Sequence, residues 1–289
     1  MISFTVLQMF PLLSKEEFAQ IAVSFESIHD HKSKGSDKLL QILDEFGVAI
    51  ITNLCTKEEV VSMEKTLGKE IFSLLPKENS PDLAHSPSIL SLINNFTNIN
   101  LSEHCEEILR RWPPASKLGV PFLVDYGLPQ GKFAWSVRML PQIRNVYQKL
   151  YPSEELVTGM DVLFFNPSLS KPSKSSEFTA HADQNIHAPN GVGDWKVYQS
   201  ALYLWPALSE DDATTVVWPR SHKLAYPELV NDSLSVTYGK LGYHYTEVRA
   251  MSNKLSAESL ERRFFEEARR MRMPAGSLLV WNSKTLHQA

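Results

Sequence analysis

The sequence predicts a mostly β fold with flanking helices, an antiparallel barrel or double-sheet jelly roll carrying its helices on one outer face. Three observations predict it. From about residue 157 the chain turns to short runs rich in aromatic and β-branched residues, at 161–168, 196–208, 213–219 and 276–288, separated by Pro, Gly, Asn and Ser turns. Most of the helical periodicity lies before that point. Strands and helices do not alternate regularly, which argues against a doubly wound parallel sheet.

Taken in order, residues 3–10 read as a short edge strand. Ser14 with Glu17 three positions on is a capping box, and Phe18, Ile21, Ala22, Phe25 and Ile28 follow at helical spacing. A lysine-rich turn over 31–38 leads to a helix at 39–46, which Gly47 stops, and 48–54 reads as a strand. Thr56 and Glu59 form a second reciprocal cap, opening a helix that runs to about residue 75. Prolines from Pro76 to Pro129 then cut the chain into short pieces, with one helix near 101–111. Val137, Ile143, Val146, Tyr147 and Leu150 share a helical face broken or started at Pro141. A further helix is expected over 256–270, acidic at its start and closed by two arginines. The expected organisation is a single domain, 1–289, with a helical part at 1–156 and a β core at 157–289.

Composition excludes several classes. A net charge of −4 offers no stripe for nucleic acid or an anionic membrane. Cys55 and Cys105 are too few for a disulfide framework or a structural zinc site, so no oxidising compartment is required. The first residues lack a basic n-region, and no run approaches the 18 or so apolar residues of a membrane span. A cytoplasmic location is the default expectation.

The chemistry concentrates in His181-Ala182-Asp183-Gln184-Asn185. On an extended segment, residues two apart share a face, so His181 and Asp183 can present an imidazole and a carboxylate together. A third histidine from a distant strand would complete a two-histidine, one-carboxylate site for ferrous iron. His187, His222, His244 and His287 are the candidates for it. The plainer reading is that these are polar residues at the rim of a β domain, since nine histidines make one such spacing unremarkable. On the strand at 196–208, Gln199 and Tyr203 flank Ala201 on one face; if it faces inward, Gln199 meets a cofactor and Tyr203 a substrate. Gln184 is a second substrate-side candidate.

Five segments in order resemble the phytanoyl-CoA dioxygenase-like branch of the iron(II)/2-oxoglutarate oxygenases. They are FGVAIITNLCTKEEV, FAWSVRMLPQIRNVYQKLYPSEELVTGMDVLFFNPS, HADQN, TTVVWPRSHK and MPAGSLLVWNSKTLHQ, spanning roughly 44–289. In the fourth, Arg220 stands where the family's Pro-Gly-Ser-His-Lys segment has glycine. The resemblance implies a double-stranded β-helix of cupin type and an iron site formed by His181, Asp183 and His287. It further implies 2-oxoglutarate and O2 as co-substrates for the oxidation of a small organic molecule. Aspartate at 183 favours hydroxylation or another oxidation over halogenation, because the halogenating relatives give up that carboxylate. The family's 2-oxoglutarate arginine lies about ten residues beyond the distal histidine, past Ala289, so the last strands are expected to be missing from the sequence. Substitute bases are Arg220, Lys223, Arg138 and Lys284, with Arg220 preferred. The alternatives are a non-catalytic binding or scaffold relative, and a cupin-like enzyme that uses the metal without an oxo acid.

Overall fold

The two reciprocal caps set the first helices. In the computed structural model, which describes residues 10–30, 34–74, 122–123, 127–159, 163–164, 180–247 and 266–288, Ser14 accepts the Glu17 N–H and Glu17 accepts the Ser14 N–H. Helix α1 (Lys15–Ile21) therefore begins where the capping box puts it. The helical spacing expected to run on to Ile28 is interrupted. Ala22–Ser24 becomes β1, paired in parallel with Ile50–Thr52 of strand β2 (Val48–Thr52), and Ser24 caps a new helix, α2 (Phe25–His29). Pairing to a buried strand, with Val23 tucked inside, outweighs the helical period.

Helix α3 (Gly35–Phe46) buries Leu39, Ile42, Leu43 and Phe46 and ends at Gly47, left-handed at φ +73°, whose N–H donates to Leu43 O. A Cβ on Gly47 would meet the His222 ring and the Thr285 hydroxyl. Gly47→Ala is therefore expected to destabilise the protein by more than ~1 kcal/mol, since backbone strain and crowding add; urea unfolding reads it.

The described chain divides into two compact units, Met1–Leu54 with Ser168–Ala289, and Cys55–Pro167. In the second, Thr56 and Glu59 cap α4 (Lys57–Leu74) reciprocally. The Glu70 carboxylate accepts backbone N–H groups of Lys132 and Phe133 at the start of α5 (Lys132–Arg138). Pro141 opens α6 (Pro141–Leu150), dividing the helical stretch where its sequence suggests. β3 (Phe122–Leu123) and β4 (Leu163–Phe164) form an antiparallel pair.

The first unit holds two sheets. Strand β10 (Ser277–Asn282), buried at every position, lies antiparallel between β2 and β6 (Tyr198–Tyr203), giving a four-stranded order β1-β2-β10-β6. The other strands are β5 (His181–Ala182), β7 (Val216–Val217), β8 (Thr246–Glu247), β9 (Arg269–Arg270) and β11 (His287–Gln288). They make a five-stranded sheet ordered β8-β5-β11-β7-β9. A core containing Phe10, Trp218, Tyr226, Leu229 and Leu286 packs with it. Three short helices, α7 (Ser221–Leu224), α8 (Tyr226–Val230) and α9 (Ser233–Lys240), follow β7.

This corrects the expected fold. The protein is not mostly β and not a closed jelly roll or double-stranded β-helix: among the described residues helical ones outnumber strand ones, and the sheets are open. The physical reason lies in the β-rich runs themselves. Pro206 and Pro219 have no N–H to donate to a ladder, so the runs at 196–208 and 213–219 give strands of 6 and 2 residues. The run at 276–288 is split by a turn into β10 and β11. The helix expected over 256–270 ends instead in strand β9, its residues 256–265 lying outside the described ones. Residues 3–9 of the strand expected over 3–10, and the helix near 101–111, also lie outside them. Among the described residues no helix is long and apolar enough to cross a membrane.

Candidate metal centre

Strand register brings the centre together. His287 on β11 lies directly opposite His181 on β5, an antiparallel partner that is remote in sequence. Asp183 follows His181 by two residues and so returns to the same side of the extended chain. The result is a compact triangle. His181 Nε2 is 3.4 Å from Asp183 Oδ1, and His287 Nε2 is 3.4 Å from Asp183 Oδ2. The imidazole centroids are 4.4 Å apart, and one donor atom from each residue lies within 4.8 Å of the others.

Two of the three donors are oriented from behind. His287, 5% exposed, has Nδ1 3.1 Å from Thr285 O. A carbonyl only accepts, so Nδ1 carries a proton and Nε2 is the nitrogen turned to the centre, able to present its lone pair to a metal when it is unprotonated. Gln199 Nε2 donates to Asp183 Oδ2 at 2.8 Å, pinning the carboxylate. Burial alone would raise the Asp183 carboxyl, yet the two imidazoles and the Gln199 amide hold it well below the usual carboxylate range. Asp183 is thus a carboxylate at neutral pH.

These residues fit a metal ion. Two ligands at right angles, each about 2.1 Å from one ion, are separated by ~3 Å, close to the 3.4 Å seen here. Two imidazoles and one carboxylate, all on one side, are the donor set suited to non-haem ferrous iron, with further coordination positions open.

The other candidates are held elsewhere. His222 Nε2 donates to Asp44 O at 3.0 Å, and burial keeps its imidazole below the usual histidine range. The His187 N–H donates to Asn185 Oδ1, and His244 approaches Gly191. Arg220 caps α7 in the left-handed region at φ +68°, the conformation glycine takes most readily. Its N–H donates to Phe46 O, its guanidinium pairs with Glu45 at 3.0 Å, and it lies 4.1 Å over the Phe46 ring. Lys223 pairs with Asp44 and Lys284 with Asp194, while Arg138 donates to Pro129 O in the other unit. Tyr203 bonds Thr214 and Thr215 through its hydroxyl.

Gln184, expected to face substrate, is wholly buried. Its amide N–H groups donate to Gly193 O at 2.6 Å and Trp195 O at 3.1 Å, and its Oε1 accepts from Ser283. It therefore clamps the loop at 188–196 to the turn before His287. Gln184→Leu is expected to cost about 1–3 kcal/mol by leaving these groups unpaired and to hasten proteolysis within that loop; urea unfolding and limited digestion check both.

Trp281 was not among the site residues expected from the sequence. It stands opposite Gln199 in the β10–β6 register, and its ring centroid is 5.2 Å from that of His287. The available signal was strand pairing, which a sequence of short interrupted strands does not disclose.

Fold and centre together define a mixed α/β protein with a two-histidine, one-carboxylate group able to hold a metal ion. No protein-family model and no curated protein matches the sequence. The fold is similar to the crystal structure of GlcNAc Inducible Gene 2, GIG2 (DUF1479), from Candida albicans, with a TM-score of 0.53 and 11% sequence identity. That likeness covers 94% of this chain and 65% of the Candida chain, so the chain spans less than two thirds of its length.

Proposed function

We propose that the protein is a non-haem iron(II) oxygenase that oxidises a small organic substrate with O2 and 2-oxoglutarate. The observation that supports it is the register of His181 against His287 with Asp183 on the same side, three donors converging from one sheet. Iron held there would couple oxidative decarboxylation of the oxo acid, giving succinate and CO2, to oxidation of the substrate. His181, Asp183 and His287 are its ligands. Gln199 keeps the Asp183 carboxylate turned toward the two imidazoles, and Thr285 fixes the His287 tautomer. Asp183 remains 33% exposed, leaving the outer side of the centre accessible to small molecules.

Anaerobic addition of ferrous iron and 2-oxoglutarate tests this reading. A bidentate complex gives a visible charge-transfer band, followed by O2-dependent succinate release. A protein that binds iron but develops no band is not a 2-oxoglutarate enzyme. The engagement of Arg220, Lys223 and Lys284 with acidic partners favours, in that event, the non-catalytic binding protein as the second reading.

A further inference from the structure

The centre contains a hydrogen-bond donor that the protein does not use. Trp281 is 8% exposed, and its Nε1 is buried with no hydrogen-bond partner. Buried indole N–H groups ordinarily find an acceptor, and one left unpaired costs free energy. This one belongs to a ring tilted against the His287 imidazole, with centroids 5.2 Å apart. It also lies across the β10–β6 register from Gln199, whose amide nitrogen donates to Asp183 and whose Oε1 likewise has no partner. Neither tyrosine nor threonine answers it. Tyr203 and Thr214 satisfy each other and Met271 O.

Among the described residues, the basic side chains nominated for reading an anion here have other partners. Of the basic residues the sequence nominates, Arg220 faces Glu45, Lys223 faces Asp44, Lys284 faces Asp194, and Arg138 donates to Pro129 O. An anionic co-substrate at the centre would need a donor from within it. We infer that Trp281 Nε1–H is that donor, hydrogen-bonding the carboxylate adjacent to the keto group of a 2-oxo acid bound beside His287. The indole thus recognises the metal-proximal head of the oxo acid rather than its distal end. This inference rests on the oxo-acid reading above and adds a residue outside the metal ligands to it. Strand placement makes the assignment specific: Trp281 is adjacent to His287 but contributes no atom to the metal-ligand group.

Trp281→Phe removes the donor and keeps most of the ring. Zinc-loaded wild-type and variant proteins are titrated with 2-oxoglutarate and with pyruvate, and zinc affinity is measured separately. Losing a hydrogen bond to a charged group should weaken both oxo acids by ~10-fold or more, by similar factors, with zinc affinity unchanged. A loss confined to 2-oxoglutarate assigns Trp281 to the distal carboxylate and overturns the inference, as does equal binding to wild type. If wild-type zinc protein binds neither oxo acid, the inference falls together with the oxo-acid reading. Independently of the variant, wild-type protein labelled with nitrogen-15 in its 6 indoles should show one N–H resonance moving on addition of pyruvate. An NOE to the His287 ring identifies it. No movement of that signal contradicts the inference even if Trp281→Phe fails to fold.

Discussion

An Arg270→Met protein is expected to be about 1–3 kcal/mol less stable than wild type, the range for leaving buried polar groups unpaired. Arg270 is 2% exposed and organises three separate segments. Its Nε donates to Phe10 O at 2.8 Å, its Nη1 to Glu210 O at 2.7 Å, and its Nη2 pairs with the Glu210 carboxylate. Its backbone adds two bonds to the start of the chain, from Arg270 N to Pro11 O and from Leu13 N to Arg270 O. Methionine restores the apolar stem but leaves the carbonyls of Phe10 and Glu210 without donors. Its strand, β9, also lies next to β7 and, through it, β11. Urea unfolding followed by circular dichroism should show an earlier midpoint with an unchanged slope. A loss under 1 kcal/mol would mean that water replaces the guanidinium at little cost.

Asp183→Ala is expected to abolish stoichiometric iron binding while leaving the fold intact. It removes the only anionic donor of the group and leaves two imidazoles at 4.4 Å between centroids. It also frees the Gln199 amide. Outer-shell changes alone typically cost ~10–100-fold in metal affinity, so loss of a ligand should exceed ~100-fold. Because Asp183 is 33% exposed, its replacement opens no large cavity, and the unfolding transition should move little. Equilibrium dialysis against ferrous iron under anaerobic conditions separates the two effects. Full iron occupancy in the variant would remove Asp183 from the ligand set.

The local rules in the sequence carried the front of the chain well. Ser14–Glu17 and Thr56–Glu59 cap helices as their spacing indicates, Gly47 ends α3, and Pro141 opens α6. These devices act over three or four residues, so the sequence contains the whole interaction. The interruption of the first helix was not legible, because β1 forms only by pairing with β2, far along the chain. The fold class failed for the same reason on a larger scale. Aromatic and β-branched runs signalled strands, but not that prolines and turns would shorten them or that helices α7, α8 and α9 would intervene.

The centre divides along the same line. His181 and Asp183 were legible from a two-residue spacing, and the resemblance supplied His287, which the register then placed opposite His181. Gln199 was singled out as a polar strand residue; its bond to Asp183 requires the β6 strand to lie beside the centre, which no spacing shows. Gln184 and Tyr203 have the residue types of pocket walls, yet both find protein partners. Arg220 is the instructive case. Glycine would suit its left-handed backbone, and arginine is held there by Glu45 and Phe46.

The most direct test of the account is the crystal structure of the protein loaded anaerobically with ferrous iron. One ion should lie between His181 Nε2, His287 Nε2 and an Asp183 carboxylate oxygen, each about 2.0–2.2 Å away by analogy with other first-row metal sites. Iron bound at another group of residues, or a crystal in which these three side chains remain within hydrogen-bonding distance of one another with no ion between them, would contradict it.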